Sequence, residues 1–320
     1  MKFPIVANRK VWYSISTVLV VLSILGTALW GFNLSLHFTG GILVEYSFPG
    51  TVPSTSEIKD FTLAAQTEFN NGKADNEKID IGNPTVIPAG EKNMDIRYRV
   101  PTNAAEQGKY LEFETALTKK VAEKYSADKE SSQVISASVG QVLKERAIWA
   151  TLLSVIAIVL YIVFAFRKLP KNYNPWVFGI NTIGALLHDI IVLIGVFVFL
   201  GHFFHIEMGP YFITALLTIL GYSVNDTIVV FDRVRENMAR QKKGETIESI
   251  TEDSIWQTMA RSLHTSMTVL ITLGALLILG PDALKSFIFA LFIGVIIGTY
   301  SSIFLASPML VTFKNYLLRK

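Results

Sequence analysis

Six stretches of the chain are almost purely apolar: residues 11–32, 147–166, 176–200, 211–231, 262–280 and 286–313. Each has the length, about 20 residues, that a helix rising about 1.5 Å per residue needs to cross a hydrocarbon core about 30 Å thick. Residues 33–146, between the first and second stretches, have a different texture, with apolar positions recurring at short spacing among charges. Within that segment, 42–48, 79–87, 94–100 and 133–139 read as strands, and 54–69 and 103–125 carry apolar positions at helical spacing. The pattern predicts a polytopic α-helical membrane protein with six transmembrane helices. An extracytoplasmic α+β domain of order βαββαβ is expected between helices one and two, closing as a ferredoxin-like sheet with two helices on one face.

Three regions follow: an N-terminus with its first helix (1–32), the external domain (33–146) and helices two to six (147–320). The last region includes a cytoplasmic loop at 232–261, which mixes both signs of charge and reads as two short amphipathic surface helices. Ser249, with Glu252 three residues on, is the expected cap of the second.

Composition narrows the function. Of 320 residues, 51% are hydrophobic and 17% charged, so a soluble single domain is excluded. The chain contains no cysteine, which removes disulfides, thiolate metal sites and thiol nucleophiles. A net charge of +3 gives no case for nucleic-acid binding. The first apolar stretch follows Lys2, Arg9 and Lys10 but is longer than a signal-peptide core and lacks an Ala-x-Ala-like end, so it reads as an uncleaved anchor.

Basic residues set the orientation. Lys2, Arg9 and Lys10 precede helix one, Arg167, Lys168 and Lys171 follow helix two, and Arg233, Arg235, Arg240, Lys242, Lys243 and Arg261 lie between helices four and five. Lys314, Arg319 and Lys320 come last, whereas the two short loops on the opposite side hold only Lys285. The positive-inside rule then places both termini in the cytoplasm.

Two charges stand inside the apolar spans, Asp189 and Asp226. An aspartate at mid-membrane costs about 2.5–3.5 kcal/mol and is normally turned inward, paired or used. Asp226 lies five residues before Phe231, about 7.5 Å in by the helical rise, and Asp189 lies 13 residues after Trp176, nearly 20 Å in. Arg261 and Thr265, at i and i+4 on helix five, reach the level of Asp226 and complete a candidate site for a transported proton or sodium ion. No basic partner is expected at the depth of Asp189. Gly294 and Gly298 read as close helix packing, Gly40 and Gly41 as a turn or close backbone approach. His202, His205 and Glu207 lack a fourth ligand, and no metal or other cofactor is expected.

The run 221–237, GYSVNDTIVVFDRVREN, resembles the signature of the SecF family of the bacterial Sec protein-export machinery. His188 and Asp189, the run 261–266 (RSLHTS), and the small residues from Gly294 to Ser302 resemble further motifs of that family. The resemblance covers nearly the whole chain. It implies a non-enzymatic subunit of the bacterial plasma membrane that pairs with a SecD-like subunit in a unit of the resistance-nodulation-division type. Such a unit works beside a SecYEG-type channel and uses a proton or sodium gradient to draw unfolded preproteins outward. It further implies that Asp226 is the coupling carboxylate with Arg261 and Thr265 as its polar partners, that Asp189 belongs to a related motif, and that Gly221 and Asn225 are motif positions. The family's usual acid before Phe-x-Gly-Gly is replaced here by His37.

Two other classes fit parts of the pattern. An intramembrane aspartyl protease needs two carboxyls sharing a proton, but Asp226 follows Ser-Val-Asn and not the Gly-x-Gly that resembles that protease family, and the depths above put the two carboxyls more than about 10 Å apart along the membrane normal. A self-contained or half-transporter exporter of a small molecule or lipid is the other, and six helices without an internal repeat favour a missing partner.

Overall fold

The computed structural model describes residues 3–90, 92–100, 104–135, 137–167, 174–241, 244–281 and 284–317. Lys2, Lys168, Lys171, Lys242, Lys243, Arg319 and Lys320 of the basic-residue reading lie outside the described residues. The chain divides into two compact units, residues 34–146 and the remainder.

In the first unit a one-turn helix α2 (Leu36–Thr39) leads into β1 (Gly41–Ser47), followed by α3 (Thr55–Asn70), β2 (Thr85–Pro88), β3 (Asn93–Tyr98), α4 (Ala104–Tyr125) and β4 (Asp128–Ile135). The sheet order is β2-β3-β1-β4 with every neighbouring pair antiparallel. Because side chains alternate along a strand, Ile42, Val44 and Tyr46 of β1 and Met94, Ile96 and Tyr98 of β3 share one buried face. Ile58 and Ala65 of α3 and Phe113, Leu117 and Val121 of α4 complete that core. The Tyr46 hydroxyl is 2.9 Å from Thr118 Oγ1, and burial pushes its pKa up to about 12.

Gly41 has a positive φ, and a Cβ there would lie 2.5 Å from the Tyr98 carbonyl oxygen, so the turn into β1 admits no side chain.

Two boundaries differ from the sequence reading. Ile79 and Ile81 are buried outside any strand, and β2 begins only at Thr85. The final strand is Asp128–Ile135 and not 133–139, since its first half is a polar, exposed sheet edge that hydropathy does not mark.

The second unit contains α1 (Arg9–Trp30), the apolar part of α5 (Ala137–Ala165), α6 (Pro175–Phe204), α7 (Pro210–Ala239), α8 (Ile247–Leu279) and α9 (Lys285–Tyr300). Helix α9 continues through a π-helical segment (Ser301–Ala306) into α10 (Ser307–Leu317). Among the described residues, six helices are long and apolar enough to cross a membrane. Half of the apolar window is buried in α6, α7 and the last span, but only 17%, 11% and 17% in α1, α5 and α8. The first three therefore form the bundle core, and the others turn apolar flanks outward, which hydrocarbon tolerates.

The loop expected at 232–261 is not a pair of short surface helices. Helix α7 runs on to Ala239 and α8 starts at Ile247, capped by Thr246 in a reciprocal box with Ser249. Val234 and Met238 of α7 and Ile247, Ile250 and Ser254 of α8 are buried at helical spacing, so these extensions continue the bundle. Ion pairs one turn apart, such as Arg240 with Glu236 at 2.9 Å, line the outer surface.

Small residues set how closely the helices approach. A Cβ on Gly294 would lie 2.2 Å from Ile219 Cδ1, and one on Gly298 would lie 2.9 Å from Ser223 Cβ, so α9 rests directly against α7. Gly195 of α6 does the same toward α1, where a Cβ would come 2.6 Å from Ser23 Cα. Since that neighbour is backbone, Gly195→Ala requires α1 to retreat. A stability loss of about 1–3 kcal/mol is expected, read as a lower thermal midpoint of the full chain in detergent, and an unchanged midpoint would contradict this packing.

Candidate functional site

The interior of the bundle is not uniformly apolar. Asn181, Thr182, His188 and Asp189 of α6, Ser223, Asp226 and Thr227 of α7, Ser262 and Ser266 of α8, and Ser301, Ser302 and Ser307 after α9 are all buried. On α7 the spacing 223, 226, 227 puts three polar groups on the face that meets α9. There Gly298 removes the side chain that would keep them apart.

Asp189 has three hydrogen-bond partners. Its Oδ2 accepts from Ser223 Oγ at 2.6 Å and from Ser301 Oγ at 2.8 Å, and its Oδ1 lies 2.9 Å from His188 Nδ1. The π-helical widening presents two consecutive serines to the site. Ser301 reaches Asp189, while Ser302 lies 2.9 Å from Thr227 Oγ1 and donates to the Ser223 carbonyl at 3.1 Å. Such bulges recur at functional positions in membrane helices.

Asp226 is 2% exposed and more loosely held. Among the described residues it accepts one bond, from Ser266 Oγ at 3.3 Å. Ser266 Oγ is also 2.6 Å from Thr299 Oγ1 and accepts from the Tyr222 hydroxyl at 3.2 Å. The two carboxylates thus sit on one hydroxyl-lined seam. Asp189 binds Ser223, three residues before Asp226 on α7, so the two stand within about one helical turn of each other.

This overturns the depth estimate made from hydropathy, and with it the separation that argued against a shared-proton dyad; the Ser-Val-Asn preceding Asp226, in place of a Gly-x-Gly, still argues against one. Asp226 lies 13 residues before the end of α7 at Ala239, and Asp189 lies 14 residues after the start of α6 at Pro175, about 20 Å from those ends in both cases. The sequence reading measured Asp226 from Phe231, where the apolar run stops but the helix does not. It also gave Asp189 no basic neighbour, whereas His188 bonds it directly.

Arg261 and Thr265 are not brought to Asp226. Both are exposed, and among the described residues no hydrogen bond or ion pair joins either to that carboxylate. The buried face of α8 runs through Ser254, Thr258, Ser262 and Ser266; Arg261 and Thr265 each precede one of these and are turned about 100° away. They share an outward stripe with Thr268 and Thr272. Helix α7 presents a matching one in Thr214, Thr218, Gly221 and Asn225, where a Cβ on Gly221 would meet nothing within 4 Å. The threonines on both stripes satisfy their hydroxyls on their own backbones, as Thr218 does on the Thr214 carbonyl at 2.8 Å.

Ser223, Ser266, Thr299, Ser301 and Ser302 escaped the sequence reading as site residues. A hydroxyl in an apolar helix is ordinary, and only the crossing helices reveal that these converge.

Six spans, two carboxylates buried in their core and a folded domain inserted after the first span define a polytopic membrane protein with a polar interior. The family model described as protein export membrane protein SecD/SecF, C-terminal, matches residues 114–316. The protein translocase subunit SecF of Thermobaculum terrenum is 36% identical over 97% of this chain and 94% of its own. That of Sebaldella termitidis is 34% identical over 100% and 93%. A solved structure of SecDF from Thermus thermophilus, described as a translocon-associated membrane protein, superposes with a TM-score of 0.76 at 28% identity. It covers 98% of this chain, which spans 39% of that longer one. The chain belongs to the SecD/SecF family of protein export membrane proteins. It is a non-enzymatic protein translocase subunit.

Proposed function

We propose that this subunit couples a proton or sodium gradient to a late step of protein export, acting with a SecD-like partner beside a SecYEG-type channel on unfolded preproteins. The observation that carries the reading is the seam itself. Two carboxylates at one level, one firmly held and one loosely, are costly in a membrane core unless charge moves through them. Asp226 is the coupling group, and Arg261 and Thr265 act on it from the outward stripe once a partner bundle covers that stripe. An arginine without a counter-charge in hydrocarbon is unfavourable, which supports a partner surface along α7 and α8. The site takes no cofactor other than the transported ion.

The setting proposed is the bacterial inner membrane with both termini cytoplasmic. Residues 34–146 are then an external domain, and its strand order with two helices against one face supports the ferredoxin-like assignment. The test is secretion of a reporter preprotein by cells lacking their own copy and supplied with this one. Export should rise with the chain present and lose that rise when an uncoupler or sodium ionophore collapses the gradient. A rise that survives collapse of both gradients would refute the coupling.

A further inference from the structure

Helices α1 and α6 touch where Gly195 meets Ser23, and a cavity of about 380 Å³ opens between them on the Arg9 side of that contact. It is a groove lined by Thr17 and Val20 of α1, Gly184 of α6, Leu305 of the π segment, and Met309 and Phe313 of α10. Thr17 is exposed, so the groove opens outward, to the hydrocarbon side of the bundle. Three polar side chains on its wall are already engaged: the Tyr13 hydroxyl is 2.9 Å from Thr312 Oγ1, Ser16 Oγ is 3.2 Å from the Tyr300 hydroxyl, and His188 turns Nδ1 to Asp189 at 2.9 Å. Along its length the groove therefore offers a polar ligand little to bind, and desolvating one there would be costly. Its Arg9 end differs. At about 100° per residue, Arg9 stands about 30° to one side of the face formed by Tyr13, Ser16, Thr17 and Val20, and Lys10 about 70° to the other. Arg9 acts electrostatically on the Tyr13 hydroxyl and spends one donor on the Val6 carbonyl at 3.2 Å, while Lys10 is exposed. Among the described residues neither cation has an ion pair.

We propose that this groove holds one acyl chain of an anionic phospholipid, with the lipid's phosphate on Arg9 and Lys10. An apolar slot with two cations at one end matches the two halves of such a molecule. The chain meets apolar walls, and the guanidinium and ammonium groups bond phosphate oxygens. An anionic headgroup carries no ammonium of its own to oppose them, and basic clusters at the ends of membrane helices select such lipids. The Tyr13 and Thr312 pair stands where the two halves join, at the level where tyrosine is favoured in membrane helices. Gly184 lets Met309 lie directly on α6, since a Cβ there would come 2.8 Å from Met309 Cε, so the floor is a shallow seam between helices. A chain seated on it packs against α6 and the π segment, two of the elements that hold Asp189. This site goes beyond the proposed coupling and does not rest on it.

The test is native mass spectrometry of the delipidated full chain in detergent, with dioleoyl phosphatidylglycerol or dioleoyl phosphatidylcholine added. One phosphatidylglycerol per chain is expected at concentrations where phosphatidylcholine is not retained. Replacing both cations, Arg9→Gln with Lys10→Gln, should weaken phosphatidylglycerol binding about 20-fold, at about fivefold for each charge, and erase the preference. Thr17→Trp plugs the groove from an exposed position and should abolish the one-lipid species. Thr17→Val leaves the groove open and should bind as wild type does, which separates plugging from damage at the position. Equal retention of the two lipids by wild type, or undiminished phosphatidylglycerol binding by Thr17→Trp, would overturn the site. In native membranes, a benzophenone photoprobe on Thr17→Cys, in a chain with no other cysteine, should attach to phospholipid. Attachment to a polypeptide instead would mean that a partner helix covers the groove, and would equally overturn the proposal.

Discussion

Asp226→Asn is expected to abolish gradient-dependent stimulation of export while leaving the protein folded and assembled. Asparagine keeps the shape of the side chain and an oxygen to accept from Ser266, whose bond to Asp226 is 3.3 Å long. It removes only the group that binds and releases a cation. Each elementary charge crossing the membrane releases about 2.3 kcal/mol per 100 mV, comparable to the cost of about 2.5–3.5 kcal/mol for holding an aspartate at mid-membrane. A carboxylate so placed is energetically matched to the gradient, and the amide has nothing to exchange with it. The measurement is reporter secretion with and without uncoupler, normalised to the amount of subunit in the membrane. Wild-type, uncoupler-sensitive secretion from Asp226→Asn would leave this carboxylate without a coupling role.

The largest structural effect is expected at Asp189. Its carboxylate joins α6 to α7 through Ser223 and to the π segment through Ser301, and it fixes the ring of His188. Asp189→Leu removes the partner of Ser223 and of His188 and leaves Ser301 with only its 3.2 Å bond to the Gly298 carbonyl, at about 1–3 kcal/mol for each group stranded. Partial rearrangement reduces the sum, and a net loss of about 3–5 kcal/mol, typical of breaking a buried charged network, is expected. Asp189→Asn keeps one acceptor oxygen and should fall between that and wild type. Thermal unfolding of the full chain in detergent ranks the three. If Asp189→Leu melts with wild type, the triple hydrogen bond does not hold the bundle together, whatever its effect on export.

The contrast between these two aspartates was not legible in one dimension. Both stand out as charges in apolar runs, and that signal located them. Their relation was misread because apolar runs end where the chain meets the membrane surface, whereas helices end where capping and tertiary packing stop. Asp232, Arg233 and Arg235 terminate the fourth apolar run at Phe231, yet α7 continues for about two turns beyond that residue because Val234 and Met238 remain buried. Arg261 and Thr265 were misplaced for a related reason. The rise along α8 put them near Asp226, but rotation decides contact, and Ser262 and Ser266 occupy the inward positions one residue later. In the external unit the buried alternation of β1 and β3 made those strands readable, while the edge strand β4, exposed and polar through Ser132, lacked any such mark.

The sequence by itself determined the number of spans, the insertion of a mixed domain after the first, the two intramembrane carboxylates and the family. Those follow from local chemistry: hydrocarbon demands apolar runs of set length, and an isolated charge within one is conspicuous. Tertiary structure alone decided which hydroxyls meet the carboxylates, that Asp189 and Asp226 share a level, that His188 faces a cavity, and that Arg261 faces outward. Each depends on the rotation and crossing of helices, set by close contacts such as Gly294 with Ile219 and Gly298 with Ser223. Packing of that kind joins residues far apart in the chain, and the local pattern of apolar and polar positions does not encode it.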